Sequence, residues 1–297
     1  MPVRRGSLIS ESAPAILSRS ASHAERRPAA REGDAVMSSK WALILGASSG
    51  FGGATSVELA KAGYSIFGVH FDLRSTLPNA VRVQEEVKAA GQEAVFFNIN
   101  AADADKRAAA LDAVRAKVGG DGYVHVLMHS LAFGTLLPFI EDDPKGRISH
   151  AQMDMTLDVM AHSLVYWAQD MATRRLLGRN SRIFAMTSSG STRVIQAYGA
   201  VSAAKAALES HIRQLAFELA PLGVTANAIR AGVTDTPALR RIPGGPELHR
   251  RAMERNPSGR ATTPDDVAKA IAVLSDERLY WMTGNVIGID GGEELSA

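Results

Sequence analysis

The feature that most constrains this chain is a repeated change of hydrophobic period. From Met37 onward, short apolar runs at 41–45, 65–70, 94–98, 124–129, 181–186, 224–229 and 286–290 alternate with stretches of helical length at 53–62, 107–118, 152–177, 198–219 and 264–275. Each run is apolar throughout or nearly so, which leaves no face for water and suits a strand covered by helices on both sides. Seven such strands alternating with helices imply parallel pairing. The expected fold class is α/β, a single doubly wound Rossmann domain with a seven-stranded parallel sheet over residues 37–297.

Composition narrows the field. A chain of 297 residues, 46% hydrophobic and 22% charged, fits one large or two small domains, and no internal repeat divides it. It has no Cys, which excludes disulfides, thiolate metal sites and cysteine nucleophiles together. No apolar stretch reaches the roughly 18 residues needed to span a bilayer. The formal charge of +2 belongs to residues 1–36, which hold six Arg against four acids and no aromatic residue; the remainder is charge-balanced. That segment cannot bury enough apolar surface to offset its ordering entropy. It is expected to be a disordered extension, or a non-native one if translation begins at Met37. A transit peptide is the alternative, against which the four acids and the lack of an amphipathic stripe count. With basic residues dispersed over the rest, no nucleic-acid or membrane partner is expected, and the expected location is cytoplasmic.

The first run leads into Gly46-Ala47-Ser48-Ser49-Gly50-Phe51-Gly52 and then a helical stretch. Glycines there permit a tight turn and close approach of backbone to a pyrophosphate, and a helix N-terminus supplies amides and a positive dipole end. A mere tight turn is the plainer reading; the position between first strand and first helix favours the cradle. Cofactor choice is then read at the end of the second run, near His70, where Asp72 argues for NAD and Arg74 for NADP, so NADH and NADPH both stay open.

A second constellation follows the fifth run. Tyr198 and Lys205 are seven residues apart on one helical face, and Ser188 precedes Tyr198 by ten. The plainer reading is a surface tyrosine and a solvated lysine.

The glycine spacing resembles that of the short-chain dehydrogenase/reductase superfamily, with Leu45 in place of its usual Thr. Within it the chain is similar to the enoyl-acyl-carrier-protein reductases. His129-Ser130-Leu131-Ala132-Phe133-Gly134 replaces the common Asn-Asn-Ala-Gly. The Tyr-x6-Lys spacing replaces Tyr-x3-Lys, with Val201 at the shorter position. Ser188 stands where enoyl reductases carry their serine, and Ala185 where ordinary members carry theirs. Ala231 replaces the usual Pro in the segment 227–237. Ser189 occupies the place of a second tyrosine, which points to the branch lacking it, and Met160 that of the ketoreductase helix asparagine.

The resemblance implies catalytic roles for Tyr198, Lys205 and Ser188. It implies cofactor contacts at Gly46, Ser48, Ser49, Gly50, Phe51, Gly52, His70, Asp72, Arg74, Asn100, Ala101, Ser130, Leu131, Ala132, Lys205, Gly232, Val233, Thr234 and Thr236. It also implies a thioester substrate on acyl carrier protein or coenzyme A, and a homotetramer or homodimer. Three more residues move the phenol about 4.5 Å along the helix axis, toward an oxygen farther from the carbon that receives hydride. That favours conjugate reduction of an enoyl thioester over reduction of a ketone. Lys205 is expected to hold the ribose and to lower the phenol pKa.

Residues 236–262, rich in Gly, Pro and Arg, are expected to form a mobile substrate lid. Arg240, Arg241, Arg250 and Arg251 are candidates for a carrier phosphate, a solvated basic face being the plainer reading. His129 is expected to be structural, and His125 lacks a carboxylate at convincing spacing for a metal site. Two alternatives stand beside the enoyl reductase: a carbonyl or 3-ketoacyl reductase or alcohol dehydrogenase of the same fold, and a non-catalytic cofactor-binding regulator.

Overall fold

A computed structural model describes residues 40–295; the extension 1–36 lies outside the described residues. The apolar runs form β1 (Lys40–Leu45), β2 (Tyr64–His70), β3 (Ala94–Asn98), β4 (Val126–His129), β5 (Arg182–Thr187), β6 (Thr225–Ala231) and β7 (Val286–Ile289). They pair in parallel in the order β3-β2-β1-β4-β5-β6-β7. Both faces of β1 are apolar because the pleat sends alternate side chains opposite ways. Leu43 and Leu45 enter one core with Trp167, Leu208 and Ile212, while Ala42 and Ile44 enter the other with Leu59, Val267 and Ile271.

Helices α1 (Gly50–Lys61), α2 (Leu77–Ala89), α3 (Ala104–Val118), α4 (His150–Leu157), α5 (Ser163–Thr173), α6 (Gly199–Leu219), α7 (Gly245–Arg255) and α8 (Pro264–Leu274) connect the strands. Chain order reverses between β1 and β4, so the loops beyond their carboxyl ends part and leave a crevice, the usual ligand position in a doubly wound sheet. Among the described residues no helix is long and apolar enough to cross a membrane.

One expected helix is two. The stretch 152–177 is α4 and α5 joined by a π-helical turn over Asp158–His162. The hydroxyls of Thr156 and Ser163 donate back to the carbonyls of Gln152 (2.7 Å) and Val159 (2.8 Å), drawing hydrogen bonds from the regular ladder on either side of the turn.

Candidate active site

The loop from β1 to α1 is shaped by close approach. Gly46 has φ of 92° and Gly50 of 54°. A Cβ on Gly46 would stand 2.4 Å from the Ser130 carbonyl oxygen, and one on Gly52 would stand 2.2 Å from that of Gly46. The turn is pinned by the Gly46 and Ala47 amides, both donating to the Val69 carbonyl (2.8 and 3.0 Å). Ser49 makes no side-chain cap to α1, and the first turn carries no acid. The leading amides of α1 are thus left for an anion, and the loop fits a dinucleotide pyrophosphate. Phe51 packs against the core behind the loop, so what it can offer a cofactor is backbone.

At the end of β2, His70 is buried and its Nδ1 lies 2.9 Å from Asp72 Oδ2. The Asp72 side chain is only 10% exposed, and its backbone exchanges two hydrogen bonds of 3.0 Å with the Asn98 amide group. Arg74 is exposed and makes no side-chain hydrogen bond or ion pair among the described residues. After β3, Asn100 accepts the Ala102 amide (3.0 Å) and the Ala101 carbonyl accepts the Trp167 indole (2.9 Å), so these two shape the loop. After β4, the Ser130 amide donates to Leu45 (2.8 Å) and carries the pairing of β1 with β4 into the crevice, ahead of Leu131 and Ala132.

The candidate catalytic residues meet where α6 begins. Ser188 caps a short 3₁₀ turn by accepting the Gly190 amide (3.1 Å). A Cβ on Gly190 would stand 2.6 Å from the Tyr198 ring, so glycine is what lets the ring lie there. Ala197, just before, holds φ of 58°, a left-handed backbone that costs about 1–3 kcal/mol and persists only where its surroundings enforce it. Tyr198 is 8% exposed. Burial raises its phenol pKa, and the Ser188 hydroxyl beside it pulls the other way. Lys205 is buried and donates from Nζ to the Met186 carbonyl at 2.7 Å. Burial pushes its ammonium down to about 8, against the opposing pull of Glu209.

One expectation is corrected here. Lys205 is not among the groups that move the Tyr198 phenol, and the net shift is upward rather than downward. Burial outweighs the Ser188 hydrogen bond, so Tyr198 is a neutral hydrogen-bond donor at ordinary pH.

His129 is wholly buried, with Nε2 2.9 Å from Ser163 Oγ. That hydroxyl already donates to Val159, so it receives the imidazole N–H. Burial pushes His129 down to about 3, with the Lys205 charge adding to the shift, and the ring is neutral.

Beyond β6, the Gly232 amide donates to Ile289 (3.2 Å) and the Val233 amide to Glu293 Oε2 (2.9 Å). The Thr234 hydroxyl donates to Gly232 (2.9 Å), and that of Thr236 accepts the Leu239 amide (3.2 Å). The Val233 N–H is therefore spent inside the protein, whereas the Thr234 amide has no acceptor among the described residues.

The segment expected to be a lid holds a 3₁₀ turn over Leu239–Arg241 and helix α7. Arg240 pairs with Asp235 (2.7 Å), Arg250 with Glu247 and Glu254, and Arg251 with Glu247 (2.7 Å). Three of the four arginine candidates are already neutralised, as a solvated face requires. An apolar mouth adjoins the site: half-exposed Phe139 packs on Gly199 beside Tyr198, and Val194 in the catalytic segment is fully exposed.

Sequence reading missed Glu209, Phe139 and Glu293. Glu209 accepts the Thr187 hydroxyl (2.6 Å) and stands one helical turn beyond Lys205, a spacing open to notice. Nothing local marks the other two.

The crevice at the strand reversal, the glycine cradle and the Ser188, Tyr198 and Lys205 set define a short-chain dehydrogenase/reductase, an NAD(P)-dependent oxidoreductase. Within that class the chain belongs to the family described as enoyl-(acyl carrier protein) reductase, whose profile matches residues 46–294. It is 31% identical over 252 residues to a 3-oxoacyl-(acyl-carrier-protein) reductase of Aggregatibacter actinomycetemcomitans, covering 84% of this chain and 97% of that one. It is also 31% identical over 181 residues to an NADH-dependent enoyl-(acyl-carrier-protein) reductase of Aquifex aeolicus, covering 59% of this chain and 63% of that one. A short-chain dehydrogenase of Burkholderia cenocepacia solved with NADP superposes with a TM-score of 0.72 at 27% identity, over 86% of this chain and 98% of that one.

Proposed function

We propose that the protein reduces the C2–C3 double bond of trans-2-enoyl thioesters carried on acyl carrier protein or coenzyme A. The observation that carries this reading is the placement of Tyr198 at the start of α6, two helical turns from a Lys205 ammonium fixed by the Met186 carbonyl.

A reduced nicotinamide supplies hydride when bound. With one ammonium hydrogen on Met186, Lys205 keeps two for ribose hydroxyls, which sets where the ring lies relative to α6. Tyr198 is then displaced about 4.5 Å farther along the axis than a four-residue spacing would put it. Its phenol meets an oxygen three bonds from the carbon taking hydride, as in an enoyl thioester, instead of the one bond of a ketone. Raised by burial, the phenol stays protonated and donates to that oxygen as negative charge develops, and Ser188 orients it. The proton for C2 comes from Tyr198 or water. Phe139 and Val194 offer apolar surface for an acyl chain at the mouth.

NADPH is the proposed cofactor. The Asp72 carboxylate is held against His70 and nearly buried, while Arg74 is exposed and unpaired, the arrangement a 2′-phosphate needs. A cytoplasmic homotetramer belongs to the same reading.

A second reading, reduction of a 3-oxoacyl thioester, is favoured by the relative of that name. Oxidation of NADPH and NADH should be followed with crotonyl and acetoacetyl thioesters. Turnover on crotonyl thioester supports the proposal; turnover on the ketone alone rejects it.

A further inference from the structure

Three loops converge on the short segment after β7. Glu293 is 4% exposed, its Oε2 accepts the Val233 amide at 2.9 Å, and its Oε1 lies 3.8 Å from Nη2 of Arg255, the last residue of α7. Asp290 holds this segment in a turn by accepting the amides of Gly292 (3.0 Å) and Glu294 (3.3 Å). Glu294 in turn pairs with Arg193 of the catalytic segment at 3.0 Å, and Asn256, just beyond α7, donates to the Asp290 carbonyl at 2.8 Å. A Cβ on Gly232 would stand 2.8 Å from Glu293 Oε2, so the carboxylate sits directly against the backbone of the loop after β6.

A carboxylate buried this deeply is weak as a stabiliser, since burial penalises its charge. What the contact does accomplish is local. It consumes the Val233 amide and fixes the peptide plane there, while the following amide, that of Thr234, has no acceptor among the described residues. The same carboxylate reaches the last residue of α7.

We propose that Glu293 is a positioning residue for the nicotinamide end of the cofactor site, fixing the 232–236 loop through Val233 and coupling it to α7 through Arg255. This rests on dinucleotide binding and not on the enoyl substrate, so binding measurements decide it whatever the thioester assays return.

The test compares NADPH with 2′,5′-ADP, which occupies the phosphate and adenine end alone. In Glu293→Ala the dissociation constant for NADPH should rise about tenfold, the loss of one buried charged acceptor, while that for 2′,5′-ADP stays within about twofold. Glu293→Gln keeps an oxygen for Val233 and loses the ion pair. Its NADPH affinity should return to near the parent value, yet the slowing of amide hydrogen exchange that NADPH causes in α7 of the parent should be lost. Equal weakening of both ligands in the alanine variant, or unchanged NADPH binding, overturns the positioning role. Should the alanine variant fail to fold, retained protection of α7 in the glutamine variant overturns the coupling.

Discussion

Lys205 donates its ammonium to the carbonyl of Met186 at 2.7 Å, tying the catalytic helix to the penultimate residue of β5. The contact keeps one hydrogen of the ammonium inside the protein and leaves the group buried, with consequences that depend on pH.

The Lys205 ammonium is pushed down to about 8 by burial, and it is the charged form that the proposed mechanism uses to hold a ribose. As pH rises through about 8 the free enzyme loses that charge, so kcat/KM for the cofactor should fall toward about tenfold per unit. Stability moves the other way. The folded-state value lies below the ordinary 10.5 of the unfolded chain, so between about 8 and 10.5 the unfolded state binds more protons and this group's contribution to stability rises with pH. A cofactor profile flat to about pH 9.5 contradicts the assignment.

In the proposed mechanism the Tyr198 hydroxyl is a donor used only as charge develops on the substrate. Tyr198→Phe should lower kcat by about 10²- to 10³-fold, the usual loss for one such donor, and leave the cofactor dissociation constant within about twofold. Cofactor binding followed by fluorescence titration, together with steady-state turnover, checks both halves. A phenylalanine variant with parental kcat would remove Tyr198 from the chemistry.

The strands were legible because the five central ones are buried on both faces and so read as unbroken apolar runs; the edge strand β3 is only partly buried yet still coincides with the run at 94–98. α7 was not, because its only buried residues, Gly245 and Ala252, are small and five of its eleven residues are charged, leaving a faint apolar stripe. The π-turn hid because neither Gly nor Pro marks it; it is accompanied by hydroxyls bonding backward, which look like ordinary helix residues in sequence. Of the site, the glycine loop and the Ser188, Tyr198 and Lys205 set lie in contiguous motifs and could be read directly. Glu293 could not, because its partner Val233 is 60 residues away in sequence and only the pairing of β6 with β7 brings them together. The expected drop in the Tyr198 pKa failed for a related reason: burial of the phenol is a property of the packed site, and spacing along a helix carries no measure of it.

Gly46 tests the cradle by geometry alone. With φ of 92° and the Ser130 carbonyl oxygen 2.4 Å from where a Cβ would sit, Gly46→Ala combines a left-handed alanine with a backbone clash. The cost should be about 2–4 kcal/mol of unfolding free energy, read from urea denaturation, with cofactor binding lost in whatever folds. Gly91→Ala is the control, because it shares a positive φ of 82° but meets nothing within 4 Å, and it should show strain without the loss of binding. Equal effects at the two positions would mean that the Ser130 contact does not matter.

The proposed preference for NADPH rests on Arg74. An exposed, unpaired guanidinium beside the end of β2 offers charge-assisted hydrogen bonds that only a 2′-phosphate can use, and Asp72 cannot counter it while its carboxylate is held by His70 at 2.9 Å. Arg74→Ala should therefore raise the KM for NADPH about tenfold or more, in line with about 1.5–3 kcal/mol for a hydrogen bond to a charged group. The KM for NADH should stay within about twofold. Asp72→Asn removes the competing acid and should leave the NADPH preference intact or sharpen it. If instead the Arg74 variant treats the two cofactors as the parent does, the ribose end is read by other residues and the preference for NADPH falls.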